Sequence, residues 1–163
     1  MNFSSLSVGS EKELAKNLLR VLCSGGRAEV LVLILNKWLT GDGSNKKAER
    51  KNWVRSLIDQ SNVIVGTCSG GHDKVLKILL SHFPHVAWNM LFSVWPGGQR
   101  TAVITTLQVA CQKGHVKVVD LILQESNKLE RAECVSNKSD FVNTAGEKGF
   151  TAIISAVHQN HLL

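Results

Sequence analysis

Residues 111–123 read CQKGHVKVVDLIL, residues 68–80 read CSGGHDKVLKILL, and residues 23–35 read CSGGRAEVLVLIL. The three align without gaps. Cys23, Cys68 and Cys111 share one position, Gly26, Gly71 and Gly114 another, Val30, Val75 and Val118 a third, and Leu35, Leu80 and Leu123 a fourth. A further copy starts as AVHQNHLL at 156–163, with Asn160 where the others carry glycine. The chain therefore repeats a unit, and a repeat at this period points to a stacked array rather than a single closed core.

Each copy carries the same physical plan. An apolar segment (LLRVLC, NVIVGTC, TTLQVAC, TAIISAV) precedes the shared position. A short turn follows and ends in Gly, or in Asn for the last copy, residues that tolerate the positive φ closing a helix. Apolar residues then recur at helical spacing, as Val75, Leu76, Ile78 and Leu79 and again as Val118, Val119, Leu121 and Ile122. Lys74, Lys77, Lys117 and Asp120 fall on the water side. The pattern predicts two short antiparallel helices per unit. One pair cannot bury both of its faces, so the pairs are expected to stack.

The third copy is the most specific. TTLQVACQKGHVKVVDLIL, residues 105–123, resembles the ankyrin repeat signature TPLHxAxxxGHxxVVxxLL at Thr105, Leu107, Ala110, Gly114, His115, Val118, Val119 and Leu123. GFTAIISAVHQNHLL, residues 149–163, is similar at Gly149, Thr151, Ala156 and His161. The second copy keeps the turn, His72 and the outer helix, and the first only the turn and the outer helix. Thr106 and Gln108 replace the Pro and His of the signature, as do Ala152 and Ile154 in the last copy, so the hydrogen bonds the family makes through that histidine are expected to be missing. The resemblance implies an all-α, helix-turn-helix ankyrin-like solenoid of about three and a half repeats. Its units cover about 12–39, 57–83, 103–126 and a truncated 149–163, which is expected to continue in a longer protein.

The family period is about 33 residues, whereas these copies are offset by 45, 43 and 46. The excess falls in inserts at about 40–56, 84–101 and 127–146, where the family places projecting β-hairpin fingers and loops. Insertions of this kind often form the binding face. The first, TGDGSNKKAERKNW, is basic through Lys46, Lys47 and Arg50, and its second half reads as helical with Trp53, Leu57 and Ile58 on one side, lengthening the inner helix of the second unit. The second, PHVAWNMLFSVWPGGQR, gathers Trp88, Met90, Leu91, Phe92 and Trp95 before a Pro96-Gly97-Gly98 turn and Arg100. Trp and Met are favoured interface anchors, although most of these residues are expected to be buried against neighbouring units. The third insert is polar, reads as a solvated loop or short helix, and carries no site.

Catalytic readings fare poorly. Gly66 and Gly71 have phosphate-loop spacing, but His72 and Asp73 stand where that loop needs Lys and Ser or Thr. Cys68 and His72 are spaced like a nucleophile and base, yet Cys111 and His115 repeat them and Arg27 replaces the histidine in the first copy. A small buried cysteine is the simpler reading. His82 and His85 could supply half a metal site, with no further ligand nearby in sequence. The four cysteines lack C-x-x-C spacing and, without a secretion signal, fit free thiols in a reducing compartment. The longest strongly apolar run, VLVLIL at 30–35, is too short for a bilayer. The expectation is a non-catalytic protein-interaction module or scaffold, cytoplasmic or nuclear, with no cofactor, metal or small-molecule substrate. Its candidate contacts are Trp88, Trp95, Arg100, Lys46, Lys47 and Arg50. The net charge of +6 leaves one rival on the same fold, binding of nucleic acid or an anionic membrane through the basic loops. Nucleic acid is the less expected partner.

Overall fold

The computed structural model describes residues 8–40, 47–83, 95–97, 102–104, 106–131, 142–143 and 149–161. These form eight helices: α1 (Val8–Ser24), α2 (Ala28–Thr40), α3 (Lys47–Ser61), α4 (Val63–Ser69), α5 (Asp73–His82), α6 (Thr106–Gln112), α7 (Val116–Arg131) and α8 (Ala152–His158). One antiparallel hairpin, β1 (Trp95–Gly97) with β2 (Ala102–Ile104), adds to the all-helical expectation. It lies between α5 and α6, in the stretch that carries the Pro96-Gly97-Gly98 turn signal.

The repeated turn is one structure made four times. Gly26, Gly71, Gly114 and Asn160 have φ of 67°, 73°, 72° and 58°. In each, this residue donates its amide three residues back, and the next donates five back. Gly71 bonds the Cys68 carbonyl at 3.3 Å and His72 that of Thr67 at 3.1 Å. Gly114 and His115 repeat the pair on Cys111 and Ala110, Gly26 and Arg27 on Cys23 and Leu22, and Asn160 and His161 on Val157 and Ala156. This is the Schellman closure, which requires a left-handed residue and satisfies carbonyls that the helix end leaves open. The sequence places Gly or Asn there because other side chains pay steric strain at positive φ.

The closures fold α1 onto α2, α4 onto α5 and α6 onto α7. The first helices of the units contact one another in the order α1, α4, α6, α8, and the second helices in the order α2, α5, α7. The core runs through both rows, from Leu19, Leu31 and Leu35 through Ile64, Leu76 and Leu79 to Leu107, Val118 and Ile122. Lys74, Lys77, Lys117 and Asp120 are exposed, as their spacing predicts.

Successive units are tied by side chains as well as by burial. His72 Nε2 donates to the Ser24 carbonyl at 2.8 Å, and His115 Nε2 to the Ser69 carbonyl at 2.9 Å. Each ring lies on the turn glycine of the unit before. A Cβ added to Gly26 would sit 2.5 Å from His72 Nδ1, and one added to Gly71 would sit 2.6 Å from His115 Nδ1. His161 lies on Gly114 in the same way, 2.8 Å from an added Cβ. The loss expected at Gln108 is made good: its Nε2 donates to the Phe150 carbonyl at 2.9 Å, so an amide joins the third unit to the fourth where the signature has imidazole.

One expectation about the inserts changes. The segment from Lys47 does not lengthen the inner helix of the second unit. It forms a separate helix, α3, which packs on α1, α2 and α4. Asn62, at φ 55°, breaks the chain direction between α3 and α4. In the third insert, α7 continues to Arg131 and residues 142–143 are helical, with Val142 packed on the core. Among the described residues, no helix is long and apolar enough to cross a membrane.

Candidate interaction surface

The first insert places two of the candidate contacts on one element. Lys47 opens α3 and Arg50 follows one turn later, three residues on, which puts them on neighbouring positions of one helix face. The helix is held by Val54, Leu57, Ile58 and Ser61, all buried; Arg50, four residues before Val54 on the same stripe, is half-buried, Lys51 is exposed at its edge, and Asn52 and Arg55 are exposed beyond it. Trp95 belongs to a different element: it starts β1 and pairs with Ile104 across the hairpin. Lys46, Trp88 and Arg100 lie outside the described residues. Lys47 and Arg50 thus belong to α3, and Trp95 to the separate strand β1.

A further aromatic feature escaped the reading of the sequence. Trp38 in the last turns of α2 and Trp53 in the middle of α3 meet edge to face, with ring centroids 5.4 Å apart and planes at 81°. Such a pair contributes about 0.5–1.5 kcal/mol beyond its area. Trp53 remains 39% exposed, so the pair anchors α3 on α2 and also offers an aromatic surface beside the basic helix. The signal lay in Val30, Ile34 and Trp38, spaced four apart on α2, and in Trp53 at the edge of the Leu57–Ile58 stripe. Nothing in the sequence joined the two across the insert.

The cysteines and histidines sort themselves by environment. Burial pushes the Cys23 and Cys68 thiols up to about 12, with a hydrogen bond to Thr67 partly opposing this at Cys23. Burial also raises the half-buried Cys111 thiol. A nucleophilic cysteine needs the opposite shift. The Nε2 hydrogen of His72 is committed to the Ser24 carbonyl. The Cys68–His72 spacing is therefore a consequence of the helix closure, with the thiol in the core and the imidazole on the preceding unit. The glycines at 66 and 71 belong to α4 and its closure. His82 Nδ1 lies 3.0 Å from its own helix carbonyl at Ile78, and His85 falls outside the described residues. Among the described residues no three His, Cys, Asp or Glu side chains gather as a metal site.

What the arrangement offers chemically is a row of rigid, apolar-cored helix pairs with a hairpin and a basic, tryptophan-bearing helix attached between them. No family model, curated protein or solved structure matches the chain.

Proposed function

We propose that this chain is an ankyrin-like repeat array acting as a non-catalytic protein-interaction module or scaffold, in the cytoplasm or nucleus. The observation that carries the reading is the fourfold Schellman closure, with each histidine laid on the turn of the preceding unit. A stack built this way is rigid at its turns and free to vary in its inserts, which suits recognition by projecting elements. The partner-binding residues in this reading are Trp88, Trp95 and Arg100 of the second insert, and Lys46, Lys47 and Arg50 of the first. Trp53 joins them as the exposed member of the Trp38–Trp53 pair.

Affinity capture with the whole chain as bait, beside a Trp88→Ala/Trp95→Ala double variant, tests the reading. The proposal expects a specific partner to be lost from the variant while the melting temperature stays within a few degrees. A large fall in melting temperature would place these tryptophans in the core and remove them from the surface. Titration with generic DNA, RNA and vesicles of acidic lipid covers the rival. Binding that falls steeply with salt would transfer the function from protein to polyanion recognition.

A further inference from the structure

The repeat supplies its own standard for what each position should bury. Leu19, Ile64, Leu107 and Ile153 each stand seven residues before the closing Gly or Asn of their unit. Leu19 and Ile64 are fully buried and Leu107 is 2% exposed, whereas Ile153 is 66% exposed. Four residues on, Cys23 and Cys68 are buried, Cys111 is half-buried and Val157 is 49% exposed. The second helices show the same gradient. Leu31 and Leu76 are buried, and their equivalent Val119 is half-buried; Leu35 and Leu80 are buried, and Leu123 is half-buried.

The equivalence of the units brings these positions to one place. α5 seats on α4 beside α2, and α7 seats on α6 beside α5. Among the described residues the row of second helices ends at α7. The next seat of that row lies on α8 and beside α7. The more open positions belong to it: Ile153 and Val157 on α8, Cys111 near the end of α6, and Val119 and Leu123 on α7. The two earlier seats say what fits. Each holds a helix with one apolar face. α5, of 10 residues, buries Val75, Leu76, Leu79 and Leu80 and turns Lys74 and Lys77 to water. α7 buries Val118 and Ile122 and exposes Lys117 and Asp120.

We infer that the seat on α8 beside α7 is a docking site for an amphipathic helix of a protein partner, with the length and apolar spacing of α5. The partner enters as a helix laid into a groove, read through apolar anchors one turn apart. The assignment rests on the interaction-module reading above and gives it a surface separate from the inserts.

The probe is a fluorescein-labelled peptide with the sequence of α7, VKVVDLILQESNKLER. Titrated with the whole chain, it should bind saturably below about 1 mM. Bound peptide should also slow alkylation of Cys111, read by mass spectrometry. Ile153→Glu/Val157→Glu places charge in the seat and should raise the Kd at least about tenfold. Both side chains are largely exposed, so the circular dichroism spectrum should be unchanged. Ile153→Ala, a milder second variant, should shift the Kd in the same direction. A peptide carrying Val118→Lys/Ile122→Lys should not bind, and Leu14→Glu, on the first helix of the row, should leave the Kd as it is. Trp88→Ala/Trp95→Ala should also leave it unchanged, so failure of the insert reading and failure of this one are separate results. No saturation up to about 1 mM, a Kd indifferent to both changes in α8, or Cys111 alkylated equally fast with and without peptide would overturn the inference. So would a dimer of the chain alone, seen in sedimentation and dissolved by Ile153→Glu/Val157→Glu, because a second copy would then hold the seat.

Discussion

The first and second units carry the same thirteen-residue frame, and the structure treats them differently. Both close their first helix through a Schellman turn at Gly26 or Gly71. In the second unit His72 reaches back to the Ser24 carbonyl, and Val75 and Leu79 are buried. In the first unit Arg27 is exposed in the histidine position, Val30 is exposed, and Ile34 is only half-buried. The turn is fixed by local sequence. The burial of identical positions is fixed by which unit stands beside them, so residue type alone cannot assign energy in an array.

The largest test of that contrast is in the core. Leu79→Ala, at a fully buried position, should lower the unfolding free energy by about 2–5 kcal/mol in urea titrations. Ile34→Ala, at the matching position of the first unit, should cost clearly less. Equal losses would mean that the first unit is packed as tightly as the second.

The turns come next. Gly71→Ala should cost about 1–2 kcal/mol for the left-handed backbone, and more because the new methyl meets the His115 ring at 2.6 Å. Gly149 has a similar φ of 70° with nothing within 4 Å of an added Cβ. Gly149→Ala therefore reports the backbone cost alone, and the difference between the two melting curves isolates the contact with histidine.

Removal of the histidines should have a smaller effect. His115→Ala should cost about 0.5–1.5 kcal/mol, the worth of its bond to Ser69. Arg27→Ala should stay within about 0.5 kcal/mol, as exposed substitutions do. The smallest effect at neutral pH is at the thiols. Cys23 and Cys68 are raised to about 12, so alkylation of the native protein, followed by mass spectrometry, should modify Cys111 well before them. Because the folded state holds these protons longer than the unfolded chain, their contribution to stability is complete below about pH 8.5 and is lost as pH rises toward 12.

Much of this was legible because it is local. The positive φ at Gly26, Gly71, Gly114 and Asn160 follows from residue type and from helix ends marked by the change in apolar spacing. The water-facing lysines follow from the same period. What escaped depends on groups distant in sequence. Gln108 regains a bond only because the Phe150 carbonyl, 42 residues on, arrives at its amide. The Trp38–Trp53 contact spans an insert that no periodicity crosses. The break at Asn62 falls at the end of the polar run Asp59-Gln60-Ser61-Asn62, between Leu57-Ile58 and Val63-Ile64; Asn tolerates the positive φ, but the segment from Lys47 reads as one helix through it. Of the candidate contacts, Lys47 and Arg50 were legible as lying in a helical segment; the turn read at Pro96-Gly97-Gly98 is displaced, because Pro96 and Gly97 are paired in β1. The pairing of Trp95 with Ile104 needed the fold.

The histidine bonds also have a mechanical meaning. His72 and His115 each join one unit to the carbonyl end of the last, so along the row these links stand in series. A pull on the two ends loads every link with the same force, and the weakest yields first without relieving the rest. Stretched in this way, the protein would lengthen in discrete steps of about one helix pair each, as a chain of stiff plates gives way joint by joint.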